Sequence, residues 1–190
     1  MNANVGMQHP VFAPVNVYTP GTSITYSAGS VVAEAVSASL SWERADGRFY
    51  GDDVQLDSDN GVLGYTIDFE PSGLTDAMRA KLLGETKASS EYTITSDASP
   101  DGGFGFVRVM RTGNGVYSYE GWWFYKVKFS ISSEETRTKE RNLEWRVPTL
   151  SGTGDGVSID NSGKLKFATH QTFTTLAAAV SYVNGKAGIT

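Results

Sequence analysis

The sequence predicts a single, mainly antiparallel β domain, and three observations lead to this fold class. Apolar and polar side chains alternate with a period of two in several segments, as they do in half-buried strands. Glycine is abundant, at 21 of 190 residues, and turn sequences such as Asn60-Gly61 separate the alternating segments. Nine Tyr and nine Phe supply the large apolar side chains that a packed core needs and that disordered chains lack.

Two alternating segments in the first half of the chain predict strands. The first runs from Val31 to Glu43 and the second from Val62 to Glu70. In the second, the large side chains share one face: Leu63, Tyr65, Ile67 and Phe69. The first 30 residues are poor in charge, and we expect them to form an extended N-terminal arm with one edge strand.

Two helices are predicted. The first spans Leu74 to Gly84, where Thr75 is a suitable N-cap, Asp76 favours the positive end of the helix dipole and Gly84 ends the helix. The second spans Phe173 to Val183 and ends at an Asn-Gly pair.

The strongest strand patterns are Phe104 to Arg111 and Val116 to Ile131, which a glycine-rich turn joins. Strict alternation in the second strand predicts a core face with Trp123, Tyr125, Val127 and Phe129. It places Trp122 and Phe124 on the opposite face, where large aromatic side chains need cover from a helix or another subunit. We therefore predict that Trp122 and Phe124 are inter-subunit contacts, and a sugar-stacking platform is the competing interpretation.

A long acidic loop, residues 46–61, lies between the first two predicted strands. It holds five aspartates against one arginine. Clustered carboxylates could bind calcium, but their spacing does not match a calcium-binding loop, which favours a solvated acidic loop.

Composition and motifs argue against catalysis and against several kinds of ligand. The chain has no cysteine, which excludes thiolate metal sites and favours folding in a reducing cytoplasm. Its two histidines, His9 and His170, have no metal-site spacing, and no nucleophile comes with a supporting motif. We predict no enzyme activity, no cofactor and no metal.

The net charge and the hydropathy of the sequence limit the classes of partner that the protein is expected to bind. The net charge of −5 argues against a dedicated binder of DNA or of anionic membranes. No apolar run approaches the roughly 20 residues that span a bilayer, and the first residues show no secretory pattern, so no membrane partner is expected.

A series of short motifs in the second half of the chain carries a family resemblance. They are, in order, Tyr125-Lys126-Val127-Lys128-Phe129, Ser133-Glu134-Glu135, Thr138-Lys139-Glu140, Glu144 with Pro148-Thr149, and Ser151-Gly152-Thr153. In order and spacing they resemble the C-terminal half of the major tail protein, or tail-tube protein, of long, non-contractile-tailed bacteriophages. The similarity covers about Val31 to Thr153.

The resemblance implies a fold and a domain organisation. The fold is an antiparallel β-sandwich or partial barrel with one flanking α-helix, to which the sequence adds a C-terminal helix. We expect an N-terminal arm (1–30), a tail-tube β domain (31–154) that contains the acidic loop, and a C-terminal extension of a hairpin plus a helix (155–190).

The resemblance also implies a function. Six copies of such a protein form a ring whose inner strands join into one β-barrel, and the rings stack into a hollow tube through which DNA is ejected. The implied partners are further copies of the chain, the tape measure, tail tip and terminator proteins, and DNA in transit. The implied location is the virion, preceded by the host cytoplasm. The alternative is a β-sandwich carbohydrate-binding module.

Within that family, two segments become candidate contacts. We predict that the acidic loop orders against an adjacent ring through Arg48, Phe49, Tyr50, Asp52, Asp53 and Asp57. A charged segment after the longest strand is the second candidate, with a solvated turn as the equal alternative, and its residues are Glu134, Glu135, Arg137 and Lys139.

Overall fold

A computed structural model describes residues 2–51, 54–134 and 147–189 of the chain. It confirms the mainly β fold with antiparallel strands and two helices. The elements in the described residues are β1 (Asn2–Thr19), β2 (Ser23–Tyr26), β3 (Ser30–Val31), β4 (Ala35–Arg44), β5 (Gly47–Gly51), β6 (Val54–Asp59), β7 (Val62–Pro71), α1 (Asp76–Leu83), β8 (Thr86–Ala88), β9 (Glu91–Thr93), β10 (Gly102–Thr112), β11 (Tyr117–Ser133), β12 (Thr149–Asp155), β13 (Ala168–Phe173) and α2 (Leu176–Ala187).

The main strands form two layers that share β11. In the first layer the order is β1, β10, β11 and β13, and in the second it is β11, β12, β7 and β4, with antiparallel neighbours throughout. β11 pairs with β10 as far as Val127 and with β12 from Lys128 onward. The chain therefore passes from one layer to the other within a single strand.

The larger core lies between these two layers, whose strands cross. The ring of Tyr65 in β7 lies 5.0 Å from that of Phe124 in β11. Four residues further along β7, the ring of Phe69 lies 5.5 Å from that of Phe104 in β10. Phe104 and Phe124 are direct cross-strand partners, so β7 runs across the strands of the first layer. This is orthogonal sheet packing, in which strands change sheets at bends or bulges.

Helix α2 covers the other face of the first layer and forms a second, smaller core. Its buried residues follow one another at intervals of four: Ala179, Val183 and Ala187. They pack against Val11, Val107 and Trp123 of the sheet. The helix comes this close because the sheet beneath it carries glycine: a Cβ at Gly105 would lie 2.8 Å from Cγ1 of Val183.

The side-chain alternation of β11 changes at Tyr125 and Lys126. Phe124 pairs with Phe104 but Val127 pairs with Gly102, so β11 holds one residue more than β10 over this interval. Such a β-bulge exchanges the two faces of the strand. Phe124 and Val127 thus both face the larger core, whereas Trp123 faces α2. The predicted shared face of Trp123, Tyr125, Val127 and Phe129 is wrong, because it assumed an unbroken period of two.

Two tyrosines bind the carbonyl groups of this bulge. The Tyr26 hydroxyl donates to the Tyr125 carbonyl oxygen at 2.7 Å, and the Tyr65 hydroxyl donates to that of Lys126 at 2.6 Å. Burial raises the pKa of both tyrosines above its ordinary value, so both hydroxyls keep the proton that they donate. Carbonyl groups that leave the sheet ladder are thereby satisfied inside the protein.

The N-terminal segment is a strand of the sheet rather than an arm with an edge strand. β1 pairs with β10 from Asn2 to Pro14, with β3 on its other side at Val11 and Phe12, and with β2 from Val15 to Thr19. Its residues Val11, Phe12 and Ala13 are fully buried. Irregular pairing between Asn4 and Gly6 and between Gln8 and Val11 breaks the alternation, which hid the strand in the sequence.

The C-terminal segment also belongs to the same fold. β13 pairs with the first half of β11, from Phe124 to Tyr119, and α2 covers the same sheet. Residues 155–190 thus contribute a strand and a core-forming helix to the layers built by residues 31–154.

Several local predictions are confirmed. Helix α1 begins after Thr75, whose Oγ1 accepts the backbone N–H of Met78, and ends at Gly84 with a φ of 77°. Strand β7 matches its predicted range, although Leu63 is 57% exposed instead of sharing the buried face. The predicted strand from Val31 to Glu43 is divided between β3 and β4.

Replacing Tyr65 by Phe should remove the hydrogen bond to the Lys126 carbonyl and leave that group buried and unsatisfied. We expect the free energy of unfolding to fall by about 1–3 kcal/mol, measured by urea denaturation. Tyr117→Phe is the control, because Tyr117 is 49% exposed, and it should change the stability by less than about 0.5 kcal/mol. Equal effects of the two substitutions would contradict this role for Tyr65.

Two glycine-to-alanine substitutions should change the free energy of unfolding in opposite directions. Gly105→Ala places a methyl group against Val183 and Trp123, and we expect a loss of about 1–3 kcal/mol in the free energy of unfolding. Gly185 lies within α2 and a Cβ there meets no atom within 4 Å. Gly185→Ala should therefore raise the stability by up to about 1 kcal/mol. Thermal unfolding of both variants measures the difference, and a stabilising Gly105→Ala would contradict the close packing of α2.

Candidate functional site

The outer face of the second layer carries short polar and acidic side chains on every strand. Strand pairing places these residues on one surface, which we call the acidic face: Ser37, Ser39, Ser41 and Glu43 of β4; Gly64, Thr66, Asp68 and Glu70 of β7; Ser151, Thr153 and Asp155 of β12; and Lys128 and Ser130 of β11. It has four carboxylates and one ammonium group, a net charge of −3. The residues that alternate with them point into the larger core, as Tyr65, Ile67 and Phe69 do.

Hydroxyl groups hold two of the carboxylates in place. Ser37 donates to Oε2 of Glu70 at 2.6 Å, and Ser151 donates to Oδ1 of Asp68 at 2.8 Å. The surface therefore combines short hydroxyl side chains with carboxylates, of which Asp68 and Glu70 are held in place. Binding of DNA draws most of its affinity from Lys and Arg at phosphates, and the acidic face offers Lys128 as its one cation.

The second layer ends in two strands that each have one partner among the described residues. β4 pairs with β7, and the part of β11 that follows Val127 pairs with β12. Unpaired edges expose backbone N–H and C=O groups, and monomeric proteins usually protect them with lysine, proline or a bulge. β4 has neither lysine nor proline over its ten residues, its register with β7 shifts only near its two ends, and it exposes Val36 by 59% and Trp42 by 36%. The open part of β11 carries Lys128, so β4 is the edge better suited to pairing with another chain.

Trp122 is covered by its own chain. Its ring stacks on His170 of β13 with a centroid distance of 4.5 Å, and the guanidinium of Arg108 lies 4.8 Å from the ring centroid. Its Nε1 donates to Glu120 at 3.0 Å. A sugar stacked on Trp122 would compete with these contacts, and the cover comes from β10 and β13 instead of from a helix.

The prediction that Phe124 lies on an outer face is wrong. Phe124 is fully buried, with its ring 5.0 Å from Tyr65 and 6.0 Å from Phe106. The crossing second layer covers it, and the local sequence carries no signal of that crossing. Phe124 is thus unavailable as a contact between subunits.

The predicted acidic loop contains a β-hairpin. β5 pairs with β6, and Phe49 lies opposite Asp57 in their register. Arg48 and Tyr50 lie on β5, whereas Asp52 and Asp53 fall outside the described residues. The hairpin joins β4 to β7 and so extends the second layer at one end.

Of the four candidate contacts in the charged segment, the structure describes the first, Glu134. Glu134 is exposed and accepts a hydrogen bond from Arg79 of α1 at 3.1 Å, while Arg79 also binds Glu85 at 3.2 Å. The Arg79–Glu134 pair contributes little to stability, because its carboxylate is exposed to solvent. Glu135, Arg137 and Lys139 fall outside the described residues, so their predicted contacts stay predictions.

The histidines take part in structural contacts. Nε2 of His9 lies 2.7 Å from Oδ1 of Asn184, and His170 stacks on Trp122. Within residues 2–51, 54–134 and 147–189, no three His, Cys, Asp or Glu side chains are grouped so that they could hold a metal ion. In the same ranges no helix has the length and apolar character needed to cross a membrane.

Reversing the charge of the acidic face should create DNA binding. The triple variant Asp68→Lys, Glu70→Lys and Asp155→Lys changes the net charge from −5 to +1, because each replacement adds two charges. We expect it to retain duplex DNA at about 50 mM salt and to release it at about 200 mM, measured by filter binding.

The control spreads the same charge over the rest of the surface, as Glu34→Lys, Glu91→Lys and Asp97→Lys, three exposed positions. This control variant should bind DNA several-fold more weakly than the variant with three lysines on the acidic face, although both have the same net charge. Equal binding by the two variants would show that the position of the charge is irrelevant.

No family model matches the sequence, and comparisons with curated proteins and with solved structures return no match either.

Proposed function

We propose that this protein is the tail-tube subunit of a long, non-contractile-tailed bacteriophage. Six copies form a ring through the edges of the second layer, and the rings stack into a hollow tube that conducts DNA during ejection. The protein acts as a structural virion component without catalysis. It leaves the host cytoplasm when it assembles with the tape measure, tail tip and terminator proteins.

The acidic face is the observation that carries this proposal. A sheet with an open strand at each side closes into a barrel when identical copies join edge to edge, and closure removes the unpaired edges. The open strands are β4 and the second half of β11. With the acidic face turned inward, the lumen presents a net charge of −3 per copy, which repels the phosphates of DNA.

The two-layer arrangement assigns an inside and an outside to each subunit. The first layer packs on the face of the second that is opposite to the acidic face, and α2 packs on the far side of the first. When the second layers of the six copies close into one barrel, the first layer and α2 of each copy form the outer part of the tube wall. The residues outside the family resemblance, 1–30 and 155–190, then stiffen that wall through β1, β13 and α2.

The carbohydrate-binding alternative depends on an aromatic platform at Trp122. That ring is stacked on His170 and approached by Arg108, so its contacts are already used within the chain. The observations therefore favour assembly over sugar binding.

Electron microscopy of concentrated, negatively stained protein tests the proposal. We expect hexameric rings or hollow tubes from the wild-type chain. Val36→Lys, at the exposed edge strand β4, should leave monomers, because a lysine on an edge strand blocks pairing with another edge. Ile94→Lys is the matched control, since Ile94 is 76% exposed but lies outside β4, and it should assemble normally.

Monomers of the wild-type chain at millimolar concentration would contradict the proposal. Retention of those monomers on a glycan column would support the carbohydrate-binding alternative instead.

A further inference from the structure

The first layer has open strand edges of its own. β13 pairs with β11 on one side, and the first part of β1, from Asn2 to Gln8, pairs with β10 on one side. In the ranges that the structure describes, no strand lies on the other side of either segment, and β3 reaches β1 only at Val11 and Phe12. The first layer therefore ends in two rows of backbone N–H and C=O groups that are available to another strand.

Both open strands lie in parts of the sequence without formal charge. The stretches 1–33 and 167–185 contain no Asp, Glu, Lys or Arg, although these residue types make up 19% of the chain. Monomeric proteins usually place a lysine or a proline on an open strand, and neither β13 nor the segment 2–8 of β1 has one. Within that segment, the register with β10 shifts once, between Asn4 and Gly6. The two edges thus lack the charges that would oppose contact with another copy.

The crossing of the two layers places these edges at opposite ends of the second-layer strands. Strand β4 shows this directly. The ring of Trp42, near one end of β4, lies 6.4 Å from that of Phe167, which directly precedes β13. Leu40, two residues earlier, lines a small cavity together with Met7 of β1. In the proposed ring the second-layer strands form the barrel and end at its two rims, so the β13 edge faces one adjacent ring and the β1 edge faces the other.

The two edges also run in the directions that stacking requires. Three antiparallel pairings separate β1 from β13, so these two strands run in opposite directions. Stacked rings are related by rotation about the tube axis and translation along it, which keeps the sense in which each strand runs round the tube. β13 of one copy and β1 of a copy in the next ring thus meet antiparallel, as neighbours do throughout the first layer. Because the contact joins two different surfaces, it repeats without limit.

The side-chain faces of the two strands select a register. Gln8 pairs with Val107 and Thr169 pairs with Trp123, and both of these partners pack in the core under α2. Directly paired residues share a face, so Gln8 and Thr169 also lie on the side of the sheet that α2 covers. Of the positions in β13 on this side, Thr169 allows the longest overlap with the segment 2–8. Gln8 is therefore expected opposite Thr169.

We propose that β13 of one copy pairs with the open part of β1 of a copy in the adjacent ring, so that the first layers join along the outer wall of the tube. This inference rests on the proposed function and deepens it, because it names the two strand edges that stack the rings. Both edges belong to residues 1–30 and 155–190, the parts of the chain outside the family resemblance.

Lysine substitutions test the pairing from each side. Gln171→Lys places a charge on the exposed part of β13, and Gln8→Lys does so on β1. Each should raise the protein concentration needed for tubes by roughly tenfold, measured by sedimentation and electron microscopy, while hexameric rings still form. Ser181→Lys is the matched control, because it makes the same charge change at an exposed residue of α2, and it should form tubes as the wild type does.

A pair of cysteines tests the register, since the natural chain has none. Gln8→Cys with Thr169→Cys should form disulfides between rings when tubes are oxidised, because directly opposite residues of an antiparallel pair lie close enough for this bond. Non-reducing gels should then show covalent ladders longer than six copies. Gln8→Cys with Thr172→Cys is the control pair and should stay unlinked, because Thr172 lies an odd number of residues from Thr169 and so on the opposite face.

Tubes from both lysine variants at the concentration of the Ser181→Lys control would overturn this inference while the tail-tube proposal stands. Tubes in which the cysteines at positions 8 and 169 stay unlinked would overturn it as well. A ladder that stops at six copies would place the contact within one ring and would also contradict it. Circular dichroism and thermal unfolding show whether each variant keeps its fold. A wild-type chain that forms no rings would instead overturn the proposed function itself.

Discussion

Two hydrogen bonds from tyrosine hydroxyls fix the place where β11 leaves one sheet and enters the other, and both cores depend on that place. The bulge at Tyr125 and Lys126 turns two carbonyl groups out of the ladder, and Tyr26 and Tyr65 bind them from within the protein. Because the bulge exchanges faces, one strand supplies Phe124 and Phe129 to the larger core and Trp123 to the core under α2. A straight strand would instead send Trp123 and Phe129 to the same side.

The crossing of the layers explains why the acidic face is left uncovered. Both helices and the first layer cover other surfaces, since α1 contributes Met78 and Leu82 to the larger core and α2 packs beyond the first layer. In the ranges that the structure describes, no other element covers the outer face of the second layer. Its serines and threonines are short, and hydroxyl groups hold Asp68 and Glu70, so these two carboxylates lose part of their side-chain freedom.

Features with a local cause could be predicted from the sequence, and features with a tertiary cause could not. Thr75 and Gly84 bound α1 through their own side-chain and backbone preferences, and the alternation of Tyr65, Ile67 and Phe69 depends on a single strand. The bulge in β11 and the burial of Phe124 depend on β10 and β7, which are distant in sequence. The run of aspartates predicts an acidic loop, whereas the pairing of β5 with β6 within it carried no sequence signal that we used. The acidic face was hidden, because its residues come from four strands that meet only in the folded register.

The charge distribution also limits how such subunits can associate. Copies with a net charge of −5 repel one another, and this repulsion is screened beyond about 8 Å at physiological ionic strength. In the proposed tube, contacts between copies must therefore come from groups that act at short range, and strand edges are such groups. β4 and the second half of β11 provide the edges. Salt weakens the long-range repulsion that opposes the joining of these edges. We therefore expect a ring closed by strand pairing to tolerate salt.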